Sequence, residues 1–313
     1  MTYPVSKNYM DQGGDRWTIG PEGELRILGT VSGGMYVKSY YVDNDAGNVA
    51  NSGASWASAY AQIATAITAW EAYRALQTNI YARGAIYVRG SSAAYTKLTA
   101  LPSYCDIIGV GSEVRGNGTG IVMIGANGAD GIAGTARGLG LYNLQFVSGG
   151  AFWCADFVNL FRSQIIHCAF QATTAAADGG IRFSGASGGL VIRDCHWKGS
   201  GDVINKVGIQ ASGTHLNESI IENNVIGGTT AGILIDATVK NGDQTVVRNN
   251  HIGDTGKGCV TAIDDNQPAD LVGYLMYCQN SVMGTNLITI ANSGAARCHG
   301  NVSANGFVAV TAS

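Results

Sequence analysis

The sequence predicts an all-β fold: a right-handed parallel β-helix solenoid with an N-terminal capping α-helix and, ahead of that, a short β anchor segment. The first observation behind this is a repeat. Leu141-Tyr-Asn-Leu-Gln-Phe146, Ile165-Ile-His-Cys-Ala-Phe170, Ile192-Arg-Asp-Cys-His-Trp197, Ile221-Glu-Asn-Asn-Val-Ile226, Val247-Arg-Asn-Asn-His-Ile252, Tyr277-Cys-Gln-Asn-Ser-Val282 and Cys298-His-Gly-Asn-Val-Ser303 are versions of one motif. The residues in its fourth place are spaced by 24, 27, 29, 26, 30 and 21. An uneven spacing around a fixed pattern marks stacked turns that differ in their loops. The second observation is a companion family of short strands that follows each copy from Ile165 onward: Gly180–Phe183, Gly208–Ala211, Gly232–Ile235, Val260–Ile263, Leu287–Ile290 and Phe307–Val310. These are β-branched or aromatic, bounded by Gly, Asn, Asp and Ser, and too short for helices, so each turn holds at least two strands. The third is composition. The chain of 313 residues has 45 glycines and only 13% charged residues, which suits a backbone that turns a corner every few residues.

Like residues stacked one strand spacing apart, ~4.8 Å, form parallel sheets with ladders of similar side chains inside. The fourth place reads Leu144, Cys168, Cys195, Asn224, Asn250, Asn280, Asn301. An asparagine amide is donor and acceptor at once, so the last four are expected to bond one above another, and the earlier ones to leave an apolar interior.

Residues 1–40 read as a separate N-terminal β anchor and oligomerisation segment. The alternation in Arg16-Trp-Thr-Ile19 and Glu24-Leu-Arg-Ile27 predicts short two-faced strands, which need a partner chain or surface because they have no core of their own. Gln12-Gly13-Gly14-Asp15-Arg16-Trp17-Thr18-Ile19-Gly20 followed by Gly23-Glu24-Leu25-Arg26-Ile27 resembles the N-terminal segment of tailed-bacteriophage capsid decoration and head-fibre proteins. The likeness covers about twenty residues and departs from the pattern at Pro21-Glu22, where a glycine is usual. It implies an anchor that trimerises and docks on a major capsid protein through Gln12, Gly13, Gly14, Trp17, Ile19, Leu25 and Ile27, and a virion protein made in the host cytoplasm and displayed on the capsid surface.

Residues 41–54 read as a polar linker. Its Asp43-Asn-Asp45-Ala-Gly-Asn48 cluster lacks the closing glutamate of a calcium loop and is expected to be a solvated turn. From residue 55 the solenoid begins, with a capping helix over 55–76. Trp56, Tyr60, Ile63, Ile67, Trp70 and Arg74 recur at helical spacing, and Ser55 can cap the start. That helix, followed by Gly84-Ala-Ile-Tyr-Val-Arg-Gly90 and Tyr95, resembles the opening of the pectate-lyase-like β-helix superfamily, phage tailspikes included, where such a helix plugs the first rung. An open solenoid end exposes strand edges and core side chains, and an amphipathic helix covers both. Trp56 and Trp70 are expected in that plug. After the last strand no cap is legible, and that end is expected to be shielded by a partner chain, by a host or capsid surface, or by irregular packing.

Net charge is −3 with 19 scattered basic residues, which leaves no footprint for nucleic acid. No run approaches the ~18 apolar residues of a membrane span, and the N-terminus lacks a charged-then-apolar signal pattern, which counts against a secreted adhesin. Seven cysteines without CxxC spacing read as buried free thiols. No cofactor or metal is expected: His196 and His251 share a column but are separated by the rung of Val225, ~10 Å in strand spacings, too far for one zinc. For catalysis the candidates are Asp236 and Asp264, with Asp265 beside them and Arg182 on an earlier rung. Glycoside hydrolysis needs two carboxylates on one face, and lyases a base with a cation or Arg. Acidic residues at β-helix turns more often close loops, so the sequence favours a homotrimeric structural virion protein of the capsid decoration or head-fibre kind over an enzyme. The alternative is a tailspike-like receptor-binding protein or polysaccharide depolymerase that contacts a host surface glycan.

Overall fold

The computed structural model describes residues 8–10, 16–19, 25–28, 36–79, 81–111, 122–127, 129–174, 177–199, 206–253, 259–268, 273–291, 297–303, 306–307 and 311–312. Three long sheets run side by side along the chain, of ten, nine and ten strands. Within them every neighbouring pair is parallel except one at the C-terminal end. Consecutive rungs therefore lie one above another, which is the right-handed parallel β-helix expected from the repeat. The repeat motif supplies two strands, not one. Its first residues belong to sheet one (Gln164–Ile166, Val191–Arg193, Ile220–Glu222, Val246–Arg248 and their equivalents). Its last residues belong to sheet two (Ala169–Ala172, His196–Gly199, Val225–Ile226, His251–Ile252). The companion family forms sheet three, so each regular turn has three sides.

The corner between sheets one and two explains the motif. Its third residue takes a left-handed conformation in copy after copy: Asn143, His167, Asp194, Asn223, Asn249 and Gln279 have φ between 54° and 56°, and Gly300 has 63°. Asn and Asp tolerate that region best after Gly. The bend turns the fourth residue into the interior. There Asn224, Asn250, Asn280 and Asn301 stand in single file, each Nδ2 donating at 2.9–3.0 Å to the Oδ1 of the next rung as far as Asn301. Each Nδ2 also donates to a backbone carbonyl: Ile192, Ile221, Val247 and Tyr277 respectively. In the two earlier rungs the thiols of Cys168 and Cys195 do the same, donating to the carbonyls of Leu141 and Ile165. A second, smaller ladder fills the corner between sheets three and one, where Ser163, Ser219 and Thr245 hydroxyls accept from the backbone N–H of Leu139, Leu190 and Ser219.

The interior is closed by apolar columns. Ile107, Leu141, Ile165, Ile192, Ile221, Val247 and Tyr277 line sheet one, and all are buried. Phe146, Phe170 and Trp197 stack in sheet two with centroids 5.5 and 4.8 Å apart. The glycines that begin the companion strands make room for these large groups. A Cβ on Gly180 would lie 2.0 Å from Trp197 Nε1, and one on Gly208 2.5 Å from Ile226 Cγ2.

At the N-terminal end, Tyr36–Val42 pairs in parallel with Arg83–Arg89 as the first strand of sheet one. The polar stretch after it is tied down: Asp43 Oδ1 accepts from the N–H groups of Asp45 and Ala46, and its Oδ2 meets Arg89 at 2.8 Å. The helix, α1, spans Ile63–Ala75, with Gln62 and not Ser55 before its first turn. Trp56 and Tyr60 are not on it. Trp56 lies in a 3-10 turn, packed edge-on against Tyr41 at 5.0 Å and under the Arg89 guanidinium at 4.4 Å; Tyr60 bridges to Val42. Their helical spacing arose from two short structures in succession. Ile63, Ala66, Ile67 and Trp70 of α1 do face the core, and Trp70 Nε1 donates to Ser103 O at 2.9 Å, so the plug is present with one tryptophan and not two.

The C-terminal end departs from the expected pattern. Thr311–Ala312 continues sheet three, while Gly306–Phe307 turns back antiparallel onto Val302–Ser303 at the edge of sheet two; of the strand expected over Phe307–Val310, residues 308–310 lie outside the described residues. A reversed strand breaks the parallel template at that edge. Separately, Asn8–Met10, Arg16–Ile19 and Leu25–Leu28 form an antiparallel three-stranded sheet.

Candidate functional site

The outward side of sheet three collects the polar chemistry. Strand alternation turns Ala155, Ile181, Ile209, Ile233 and Ile263 inward, all fully buried, and their neighbours Asp156, Arg182, Gln210, Leu234, Asp264 and Thr289 form a register column on the other side. Arg182 grips Asp156 with two hydrogen bonds, 3.1 and 2.5 Å, and sits 5.3 Å from the Trp153 ring. The indole lies over Gly179, where a Cβ would meet it at 2.0 Å. One rung beyond Arg182, Gln210 Nε2 donates to Asp236 Oδ2 at 2.7 Å.

Asp236 follows the strand Ala231–Ile235, and Asp264 lies on the next rung within Thr261–Asp265. Burial pushes the Asp236 carboxyl above its ordinary range; the Asp264 charge adds to this and the Gln210 hydrogen bond opposes it. Asp264 is raised for the same first reason, with the Asp265 charge adding and a hydrogen bond from Asn266 opposing. Both carboxyls thus lie on one solenoid face and are raised chiefly by burial. Arg182 is not free to join them, because Asp156 holds it.

Asp265 belongs elsewhere. The alternation that turns Asp264 outward turns Asp265 into the core, where it is fully buried. It forms an ion pair with Arg297 and accepts from the Tyr277 hydroxyl at 2.7 Å. Arg297 also donates to Gln267 Oε1 and to Leu275 O, both at 2.9 Å, and stacks 4.7 Å from the Tyr274 ring. Burial first, then the Asp265 charge, hold the Tyr277 hydroxyl well above its ordinary range, so it remains a donor. Nothing in the repeat pattern marks Arg297, which lies just before a motif copy. The one available signal was an acidic residue at an interior position, Asp265, which requires a buried cation.

The expected anchor residues divide. Gln12, Gly13 and Gly14 lie outside the described residues. Trp17, Ile19, Leu25 and Ile27 are brought together as two cross-strand pairs, Trp17 with Ile27 and Ile19 with Leu25. Since alternate positions share a face, these four register positions fall on one side of the sheet. His196 and His251 do flank Val225 in sheet two. Among the described residues no group of three or more His, Cys, Asp or Glu is placed to hold a metal, and no helix is long and apolar enough to cross a membrane.

No protein-family model matches the chain, and no curated protein does. Among solved structures it is similar to the crystal structure of pectate lyase Pel9A, at 12% identity over 90% of this chain and 79% of that one, with a TM-score of 0.44. The three-sided ladder itself rests on the hydrogen bonding of this chain.

Proposed function

We propose that the chain is a structural bacteriophage virion protein, a homotrimeric capsid decoration or head-fibre protein. In this reading the N-terminal sheet docks on the major capsid protein and the β-helix is a stiff prism held off that surface. The observation that carries the reading is the pairing of Trp17 with Ile27 and Ile19 with Leu25 in a small separate sheet. It draws together the apolar residues of the segment that resembles phage anchors. Three strands of three or four residues are too little to be stable alone, so they call for other copies or a lattice. The solenoid supports the reading through its continuous ladders, which favour stiffness. Replacing Trp17 and Ile27 by Asp in the full-length protein is expected to abolish attachment to capsids and weaken self-association while the solenoid stays folded. Capsid binding that survives this change would refute the anchor.

A second reading rests on Asp236 and Asp264. They lie one rung apart and offset by two residues, near enough for the Asp264 charge to act on the Asp236 carboxyl, and glycoside hydrolysis uses two carboxyls on one face. Under this reading the chain is a tailspike-like protein acting on a host surface glycan. Release of oligosaccharide from host capsule or lipopolysaccharide, lost in Asp236→Asn or Asp264→Asn, would establish it in place of the purely structural role.

A further inference from the structure

At the C-terminal end of sheet one, three soft donors share the outward side. In the strand Met276–Cys278 the middle residue, Tyr277, is buried, so Met276 and Cys278 both face outward. The next strand, Cys298–His299, is set so that Cys298 stands beside Tyr277 and His299 beside Cys278. Cys298 therefore continues the interior column, and His299 is outward and exposed. One strand spacing, ~4.8 Å, separates the backbone of Cys278 from that of His299, and two residues of one strand, about 6.6 Å, separate Met276 from Cys278. The Met276 side chain is 41% exposed, and its unbranched thioether is flexible enough to lean across that interval. On the preceding rung Arg248 stands beside Cys278, but its guanidinium is drawn the other way, to Glu222 at 2.8 Å. Arg297, the residue before Cys298, is turned into the core toward Asp265. The Cys278 thiol is free and half-buried; burial pushes its pKa up and the Arg248 charge opposes this.

We propose that Met276, Cys278 and His299 form a binding site for Cu(I). The donor set decides the metal. Thiolate and thioether together select Cu(I), and imidazole suits copper as well as zinc, whereas zinc sites are built from Cys, His, Asp and Glu. No group of three of those gathers among the described residues; here the third donor is a thioether, and the carboxylate of Glu222 is taken up by Arg248. Charge agrees. Cu(I) on one thiolate is neutral, while Zn(II) on the same thiolate would keep a net positive charge with Arg248 one rung away. Binding forms a Cu–S bond and releases the thiol proton to solvent; copper stays in its +1 state, so no oxidant or reductant takes part. The ion ties Cys298–His299, the strand at the edge of sheet one, to the rung before it. Copper binding here is independent of capsid attachment.

The test is an anaerobic titration of the full-length chain with Cu(I), held reduced by ascorbate, against a chromophoric Cu(I) chelator. A single Cu(I) should bind per chain with release of a single proton, and amide exchange in Cys298–His299 should slow when it does. Cys278→Ser is expected to abolish binding. Met276→Leu and His299→Gln should each weaken it at least roughly tenfold, with the far-UV spectrum unchanged in all three. Cys298→Ser removes a thiol on the inward side of the same strand pair and should leave the affinity as it was. The proposal is overturned by a parent chain that does not bind Cu(I), by Zn(II) held as tightly as Cu(I), by parental affinity in folded Met276→Leu or His299→Gln, or by loss of binding in Cys298→Ser.

Discussion

Removing one amide from the middle of the asparagine file tests whether that file holds the solenoid together. Asn250 is the informative position, because its side chain makes four hydrogen bonds: two donated, to Ile221 O and Asn280 Oδ1, and two accepted on Oδ1, from the N–H and Nδ2 of Asn224. After Asn250→Ala, Asn280 Oδ1 still receives the backbone N–H of residue 250, and Asn224 Nδ2 still reaches Ile192 O. The Asn224 N–H loses the acceptor it has in the folded chain, and Ile221 O loses a donor. Two buried groups stripped of partners cost about 1–3 kcal/mol each, and the small void adds to this, so a loss of roughly 3–5 kcal/mol is expected. Asn250→Cys should cost about half as much, since Cys168 and Cys195 already fill this place with thiols donating to carbonyls. Asn250→Asp should be the worst of the three, because a carboxylate cannot supply either donated bond and would bury a charge. Guanidinium unfolding at fixed protein concentration gives the order, and amide exchange in Ile220–Glu222 and Val246–Arg248 localises it. If Asn250→Ala lies within about 0.5 kcal/mol of the parent, the range of an ordinary surface change, the file is decoration and the reasoning is wrong.

Two further outcomes follow from the polar groups. Asp264 has a folded pKa above its unfolded one, so the folded state favours its protonated form; that contribution is complete below the unfolded pKa and is lost as pH rises through the folded value. Asp264→Asn should therefore stabilise the chain at neutral pH, and the gain should shrink to nothing as pH falls below the ordinary carboxylate range, which thermal midpoints across that window will show. Arg297→Ala leaves Asp265 buried without its cation, with an expected loss of about 3–5 kcal/mol, whereas Arg297→Met together with Asp265→Leu should recover most of it; equal losses in the single and double changes would mean that packing, not charge, is what matters there.

What was legible in the sequence was whatever recurs. Leu141 through Cys298 and Asn224 through Asn301 announce themselves because each rung repeats the same local problem and solves it with the same residue. The left-handed third place was legible too, in Asn, His, Asp, Asn, Asn, Gln and Gly, but only to a reader looking for backbone as well as side-chain demands. Features made by a single pair of distant residues left little trace, here only an acidic residue, Asp265, at an interior position. The Arg297 and Asp265 pair spans 32 positions and occurs once, and Trp56 falls on a helical spacing although its neighbours make a 3-10 turn and a bridge. The placement of Asp236 and Asp264 on one face could be reached by counting along strands; their common resistance to ionisation could not, since it depends on how much chain covers them.

The two reinforcements of the interior change over at one rung, and that coincidence bears on what the solenoid is for. The stacked rings in sheet two end with Trp197, and the asparagine file in the neighbouring corner begins with Asn224, one rung later, which pairs back to Cys195 through its own Oδ1 at 2.8 Å. In a solenoid each turn is stabilised mainly by its neighbours, so the weakest junction limits the whole. Where the interior can hold Phe and Trp, large contact area joins the rungs. Where it narrows to Ile226, Ile252 and Val282, directional hydrogen bonds take over, and no junction between these rungs depends on backbone pairing alone. Such evenness adds nothing to a surface that only has to present one catalytic pair, for which two or three firm rungs suffice. It matters for a body loaded along its length, which is the role we propose for this solenoid.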